Sequence, residues 1–310
     1  MKKENSQKTL LIIGGSGFVS GTLARHAESS GWQVWVVTRG QRKVPEKVHH
    51  IIVDRHQHRS FQEALIKVDC HWDVVVDAIG FEPRDARQDI ELFASRTNHL
   101  IFISSDFVYH PAYRQFPQPE DASIYMPSGY GGKKRLCEIE FIQSKKTNIN
   151  WTIVRPGHIY GPGSMLGCLQ CHARDPQLLR RLLVREPLKL VGGGYFLQQP
   201  IYVADLAKLI LDMAGKPNTF SKILNAAGPD VIESWRYYAI IAGILGVDLR
   251  IEEIPTRIYL AEHPESYSYL CHRIYSLEKL KLTGIKLPST PINLGLQKHV
   301  FSLISNENIG

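Results

Sequence analysis

Cysteine is scarce in this chain, with Cys70, Cys137, Cys168, Cys171 and Cys271 the only five among 310 residues. An odd, sparse set excludes a disulfide framework and implies free thiols in a reducing compartment. Long apolar runs are lacking too. No stretch approaches the roughly 20 residues that span a bilayer. The charged start, MKKENSQK, is followed by an apolar run, Leu10–Ile13, that is too short for the core of a secretory signal. The expected location is the cytoplasm, with no membrane association. Internal repeats and low-complexity segments are absent, which excludes solenoids and biased tails. A recognisable nucleic-acid module is also missing. The formal net charge of +7 would suit an anionic partner, but the charges are scattered. Their densest cluster, Lys133-Lys134-Arg135, falls inside a motif with another explanation, so nucleic acid is not an expected partner.

What is present is the composition of an ordinary globular protein, 44% hydrophobic and 22% charged, with length enough for a substantial core. The first half alternates β-type runs with helical patterns. Strands are predicted at Leu10–Ile13, Gln33–Thr38, His50–Val53, Val74–Ala78, Leu100–Ser104 and Trp151–Arg155. Several are nearly continuous Val, Ile and Leu, as in parallel strands buried on both faces. Helices are predicted at Phe18–Ser30, Phe61–Lys67, Arg84–Ala94 and Gly129–Ser144. This order indicates an α/β fold with a doubly wound parallel sheet. After Arg155 the texture becomes irregular. Helices are predicted at Gln177–Arg185, Val203–Ala214 and Ser234–Leu245, and strands near Leu188–Val191 and Ile223–Asn225. The expected division is a nucleotide-binding domain over 1–160, with core strands returning after 200, and a smaller mixed substrate-binding lobe over 161–310.

The run Gly14-Gly15-Ser16-Gly17-Phe18-Val19-Ser20-Gly21 follows the first strand and opens the first helix. A pyrophosphate needs close backbone approach, unpaired N–H donors and the positive end of a helix. Glycines give the approach and the helix start gives the donors, so Gly14, Gly15, Ser16, Gly17, Phe18 and Val19 are expected to bind a nicotinamide dinucleotide. NAD sites place an acid about 20 residues later, on the ribose hydroxyls. No acid occurs here from Ser29 to Pro45. Arg39 ends the second strand instead, and an Arg there can pair with a 2′-phosphate. NADP is therefore the preferred cofactor, with NAD the alternative. The plainer reading of Arg39 is a solvated loop. Asp54, ending the third strand, is either an acceptor for the adenine amino group or a turn residue.

Tyr130-Gly131-Gly132-Lys133-Lys134 gives Tyr-x-x-x-Lys on a helical pattern, where positions four apart share a face. A lysine beside a phenol favours the phenolate and would lower the tyrosine pKa towards working pH. Tyr130 could then move a proton to or from a substrate oxygen. Ser105 ends the preceding strand, at the sheet edge where ligands bind in this architecture.

With these residues in place, the chain resembles the extended or atypical branch of the short-chain dehydrogenase/reductases, specifically the NAD-dependent epimerase/dehydratase family. GGSGFVSG, ISSDFVY, YGGKKRLCE, VRPGHIYGPG and PIYVADLA match in order, and LTGIKLPSTPINLGLQKHV resembles the family's C-terminal pattern. The resemblance covers almost the whole chain and implies a Rossmann domain. It implies Ser105 as the hydrogen-bond donor to the substrate oxygen, Tyr130 as acid/base and Lys134 as the holder of the nicotinamide ribose. Ala78 and Gly80 would line the cofactor, with Ser104 beside them, and Pro156 would border the nicotinamide. It implies an epimerase or reductase acting on a sugar nucleotide or related small molecule, and a homodimer through Arg84–Ala94 and Gly129–Ser144. The alternative is an RNA-associated or otherwise non-catalytic member of the atypical branch.

Two departures bear on the substrate. Dehydratases of the family carry Asp-Glu after the catalytic Ser or Thr, whereas this chain has Asp106-Phe107. Ahead of PIYVADLA, where many members place an Arg that grips pyrophosphate, the chain reads Gln198-Gln199. Arg180, Arg181 and Arg185 read as a wet helix face. Cys168-Leu169-Gln170-Cys171-His172 has the form of a haem-attachment motif, but no export signal or fourth zinc ligand accompanies it, and no metal site is expected.

Overall fold

The computed structural model describes residues 7–144 and 147–307. In chain order its main elements are β1 (Thr9–Ile13), α1 (Phe18–Ser29), β2 (Gln33–Thr38), β3 (His49–Ile52), α2 (His58–Lys67), β4 (Val74–Asp77), α3 (Pro83–Phe93), β5 (Leu100–Ile103), α4 (Gly129–Gln143), β6 (Trp151–Pro156), α5 (Val203–Met213) and β7 (Lys222–Ala226). The seven strands form one sheet in the order β7-β6-β5-β4-β1-β2-β3, every neighbouring pair parallel.

The sheet is buried on both faces, which explains its near-continuous apolar strands. Successive side chains point to opposite faces. Leu10, Ile12, Val34, Val36, Val74 and Val76 pack with Leu23 and Ala27 of α1 and Leu206 and Ile210 of α5. Leu11, Ile13, Trp35, Val37 and Val75 pack with Phe61 of α2, Ala86 and Ile90 of α3, and Cys137 and Phe141 of α4. The chain runs outward from β1 to β3 and then returns to place β4 on the other side of β1. That reversal leaves a crevice beyond the carboxyl ends of β1 and β4.

The later residues carry a third apolar cluster that includes Tyr160, Leu179, Leu190, Tyr237, Tyr238, Ile241 and Leu296. Short strand pairs build it. Ile251–Ile254 runs parallel to Leu188–Val191, and Ile232–Glu233 runs antiparallel to Leu197–Gln198. Sequence patterning had not singled out Ile251–Ile254, the helix Thr256–Glu262 or the closing helix Ile292–Glu307. The segment Gly161–Asp175, between this cluster and β6, has irregular backbone. Gly161, Gly163, Gly167, Cys171 and Arg174 all have positive φ there.

Candidate active site

β1 delivers the chain into Gly14 (φ +114°) and Gly15 (φ +109°). A Cβ on Gly15 would stand 2.5 Å from Val36 Cβ, so only glycine lets the turn close against β2. Ser20, in place of the usual third glycine, is buried and accepts a hydrogen bond from the Gly17 N–H at 3.2 Å. It therefore ties the cradle to α1. The first-turn N–H groups of α1 have no acceptors within the helix and point where an anion would sit.

The crevice has two arms that meet at Gly17, Ser20, Ile79 and Phe81. One holds about 380 Å³ and is lined by Gly14, Ser16, Arg39, Arg42 and Asp54, among others. The other holds about 690 Å³ and includes Phe18, Val19, Ala78, Ser104, Ser105, Tyr130, Lys134 and Pro156. Two arms joined at a pyrophosphate cradle fit a dinucleotide. Gly15 and Gly80 line neither arm, because each supports the wall from behind.

Asp54 takes the turn role, with its side chain at the first arm. Its Oδ1 accepts from the His56 N–H at 2.9 Å, closing a turn, while the residue lines the first arm. Sequence reasoning missed Arg55, which forms the floor of that arm. It is buried, and its guanidinium meets Asp77 at 2.8 Å and Asp89 at 2.9 Å. Burial would raise both carboxyls. Arg55 nonetheless holds Asp77 below the usual range, whereas Asp89, facing the Asp77 charge, stays well above it. Asp85 and Asp89, four apart on α3, were the signal in the sequence, because they share a helix face.

In the second arm, Ser105 follows β5 in extended backbone and its Oγ accepts from the Phe107 N–H. Tyr130 lies in the first turn of α4 and Lys134 one turn on. Lys134 is buried, and its Nζ donates to Gly80 O and Ile103 O at 2.7 Å each, leaving one N–H for a ligand. The rings of Phe81 and Phe102 lie 4.7 Å from the ammonium, and burial lowers its pKa to about 8. The expectation that Lys134 depresses the Tyr130 pKa does not hold in this structure. Burial raises the Tyr130 phenol above its ordinary value, and the Ser105 hydroxyl opposes that only in part. The ammonium is held by two carbonyl oxygens, and Tyr130 is a protonated donor at neutral pH.

Gly80 supports this arrangement, with its carbonyl on Lys134 and its N–H donating to Asp77 Oδ1 at 2.8 Å. A Cβ there would overlap Asp77 Oδ2 and stand 2.9 Å from Phe102. Gly80→Ala is expected to destabilise the fold by about 1–3 kcal/mol, the usual cost of overpacking, read by urea denaturation. A change below about 0.5 kcal/mol would show that the wall yields freely. Ser104 lines the cleft, but its hydroxyl donates to Glu138 Oε1 at 2.6 Å.

Asp106 is buried and held by cations. Arg114 Nη2 stands 3.3 Å from its Oδ2 and Arg273 Nε 3.2 Å, and the Tyr275 hydroxyl donates to the same oxygen. It is therefore not a free base. Gln198 and Gln199 are buried and line neither arm, and Gln199 bonds Gly228 O and the Tyr275 N–H. Burial raises the Cys168 thiol to about 12, and His172 is taken up by Asp175 and the Lys189 N–H. Among the described residues no group of three metal-ligating side chains occurs, and no helix is long and apolar enough to cross a membrane.

A doubly wound sheet with a glycine cradle at its reversal and a bipartite cleft defines a dinucleotide-binding α/β protein of the extended short-chain dehydrogenase/reductase type. The model of the NAD dependent epimerase/dehydratase family matches residues 10–227, and the chain belongs to that family. The chloroplast stem-loop binding protein of 41 kDa b from Arabidopsis thaliana is 27% identical over 239 residues, which are 72% of this chain but only 60% of that protein. GDP-L-fucose synthase of Azorhizobium caulinodans is 24% identical over 263 residues, 77% of this chain and 81% of the relative. Among solved structures, dTDP-glucose 4,6-dehydratase of Bacillus anthracis in complex with NAD superposes with a TM-score of 0.79 at 16% identity, over 97% of this chain and 98% of that one.

Proposed function

We propose that the protein is an NAD(P)-dependent epimerase or reductase acting at a hydroxyl or keto carbon of a sugar nucleotide or related small molecule. One observation carries the reading. Ser105, Tyr130 and Lys134 line the same cavity as Phe18, Val19 and Pro156, at the carboxyl edge of the sheet. The dinucleotide, when bound, supplies or accepts the hydride. Ser105 holds the substrate oxygen by a hydrogen bond. Tyr130 gives its proton to that oxygen during reduction and takes it back during oxidation. Lys134 uses its remaining N–H to hold the ribose. Phe81 and Phe107 pack against Tyr130 with ring centroids 6.1 and 5.9 Å away and orient its ring at the cleft.

The preferred cofactor is NADP(H), because Arg39 and Arg42 line the first arm with no acid between Ser29 and Pro45. Arg39→Ala is expected to weaken NADPH binding by about tenfold or more, a loss of about 1.4 kcal/mol. NADH affinity is expected to stay within about twofold by the same conversion. Fluorescence titration reads both, and equal losses for the two nucleotides would remove the basis for NADP(H). Convergent Ser105, Tyr130 and Lys134 support catalysis over the RNA-associated alternative, since a binder has no chemical need of all three. RNA affinity that falls steeply with salt, in a protein that binds neither nucleotide, would reverse that preference. The reading also includes a cytosolic setting and a dimer through α3 and α4, where Leu136 stands 48% exposed. Sedimentation at micromolar concentration tests the dimer, and a monomer alone would contradict it.

A further inference from the structure

Arg273 is the least satisfied cation in the cleft. Its side chain is 5% exposed, yet Nε and Nη2 are both buried with no hydrogen-bond partner. The ion pair with Asp106 is not aligned as a hydrogen bond, and the guanidinium lies 4.1 Å from the Phe107 ring centroid. A buried guanidinium without its hydrogen bonds is costly. Arg174 lines the same cavity, held there in left-handed backbone at φ +51°. His158 also lines it, partly buried, with its Nε2 enclosed and unpartnered. Burial, with Arg273 and Arg174 beside it, lowers the His158 pKa to about 3, so it is neutral and adds no charge. Among the described residues Asp106 is the one carboxylate lining this arm, and Arg114 already pairs with it from outside. The cavity therefore carries surplus positive charge.

We propose that Arg273, with Arg174 and His158, receives an oxyanion group of the substrate, a carboxylate or a phosphate, a few bonds from the reacting carbon. The position follows from the geometry. Arg273 stacks on Phe107, and Phe107 packs edge-on against Tyr130. Tyr269 also packs on Phe107, ring centroids 4.8 Å apart, and is 42% exposed at the same cavity. An anion on Arg273 would sit beside the carbon presented to Ser105 and Tyr130, with Tyr269 against the flat part of the substrate. Planar fork donors suit such oxygens bidentately. This inference rests on the reading of Ser105 and Tyr130 as the reacting pair.

The test is calorimetric titration of the full chain, saturated with NADPH and at fixed ionic strength, with inorganic phosphate and separately with malonate. Saturating nucleotide keeps both probes out of the cradle. Saturable binding of at least one probe is expected, and whichever binds more tightly identifies the anion. Arg273→Gln is expected to weaken it at least tenfold, Arg273→Lys by less, with NADPH affinity within twofold of the unmodified protein. Should Arg273→Gln fail to fold, Arg174→Gln at the exposed lip is expected to weaken the probe severalfold. Binding of neither probe, or binding that these substitutions leave unchanged, overturns the proposal. If the unmodified chain binds no NADPH, the cofactor reading fails separately. The anion site is then read from the loss of probe binding that Arg273→Gln causes, with the same two outcomes.

Discussion

Tyr130→Phe is expected to lower turnover by about 10²–10⁴-fold, the usual contribution of a positioned acid or base. It should leave NADPH affinity and fold stability nearly unchanged. The substitution removes one oxygen from a ring that is 46% exposed at the cleft mouth, so little packing is lost. The aromatic contacts with Phe81 and Phe107 remain. The direction of the pH dependence follows from the raised phenol. Reduction needs the protonated form, so its rate should hold level through neutral pH and fall only as the medium becomes alkaline. Deprotonation of Lys134, near pH 8, acts in the same direction by removing the charge proposed to hold the ribose. Oxidation needs the phenolate and should rise over the same alkaline range. Steady-state rates of reduction and of oxidation against pH check this. A Tyr130→Phe protein that turns over normally would remove Tyr130 from the chemistry.

Glu138→Ala is expected to cost about 3–5 kcal/mol of stability, because it leaves a buried charge uncompensated. Arg155 and Glu138 are both fully buried. Arg155 Nε donates to Glu138 Oε1 at 2.8 Å and Nη2 to Oε2 at 2.6 Å, and its Nη1 meets the Tyr109 hydroxyl and Glu120 O. Burial alone would raise the Glu138 carboxyl, but Arg155, Ser104 and Arg135 hold it below its ordinary value of 4.5. A depressed folded pKa gives stability that is present above the unfolded value and is lost as pH falls through the folded one. The difference between the two proteins should therefore shrink in the acid range below 4.5. Joint replacement, Glu138→Leu with Arg155→Met, should cost less than Glu138→Ala alone, since the one charge it strands, Arg135, is partly exposed. Urea unfolding gives all three values, and a single variant within 1 kcal/mol of the parent would contradict the account. The consequence reaches the site. Glu138 lies on α4, one turn beyond Lys134, and its partner Ser104 directly precedes Ser105.

The sheet was legible because both of its faces are buried. β1, β2 and β6 are near-continuous apolar runs, and helical spacing between such strands admits few other folds. The cradle was legible because glycines at the end of β1 have a backbone meaning. The later lobe was not. Ile251–Ile254 reads Ile-Glu-Glu-Ile and lies largely exposed, so it lacks a buried-strand pattern and exists by pairing with Leu188–Val191. The closing helix Ile292–Glu307 carries Ser, Asn, Gly and Val among its apolar positions, which blurs the helical period. In the site, Tyr130, Lys134 and Ser105 could be named from spacing, but the state of Tyr130 could not. Its surroundings come from Phe81, Phe107 and Asp106, which meet only when the sheet is assembled. The same holds for Arg273 and Asp106, separated by most of the chain and joined in space. Spacing suggested that Lys134 would tune Tyr130. The carbonyl groups of Gly80 and Ile103 take up that ammonium, and this distant pairing is not written in a five-residue motif.

The central claim is that the two arms of the cleft hold one nicotinamide dinucleotide and present it to Tyr130. A crystal structure of the full chain grown with saturating NADPH tests that most directly. Pyrophosphate density is expected on the N–H groups between Ser16 and Val19, and the 2′-phosphate between Arg39 and Arg42. The nicotinamide is expected beside Pro156, facing Ser105 and Tyr130. Absence of nucleotide from the cleft, or a nicotinamide lying outside the arm that contains Tyr130, would contradict it.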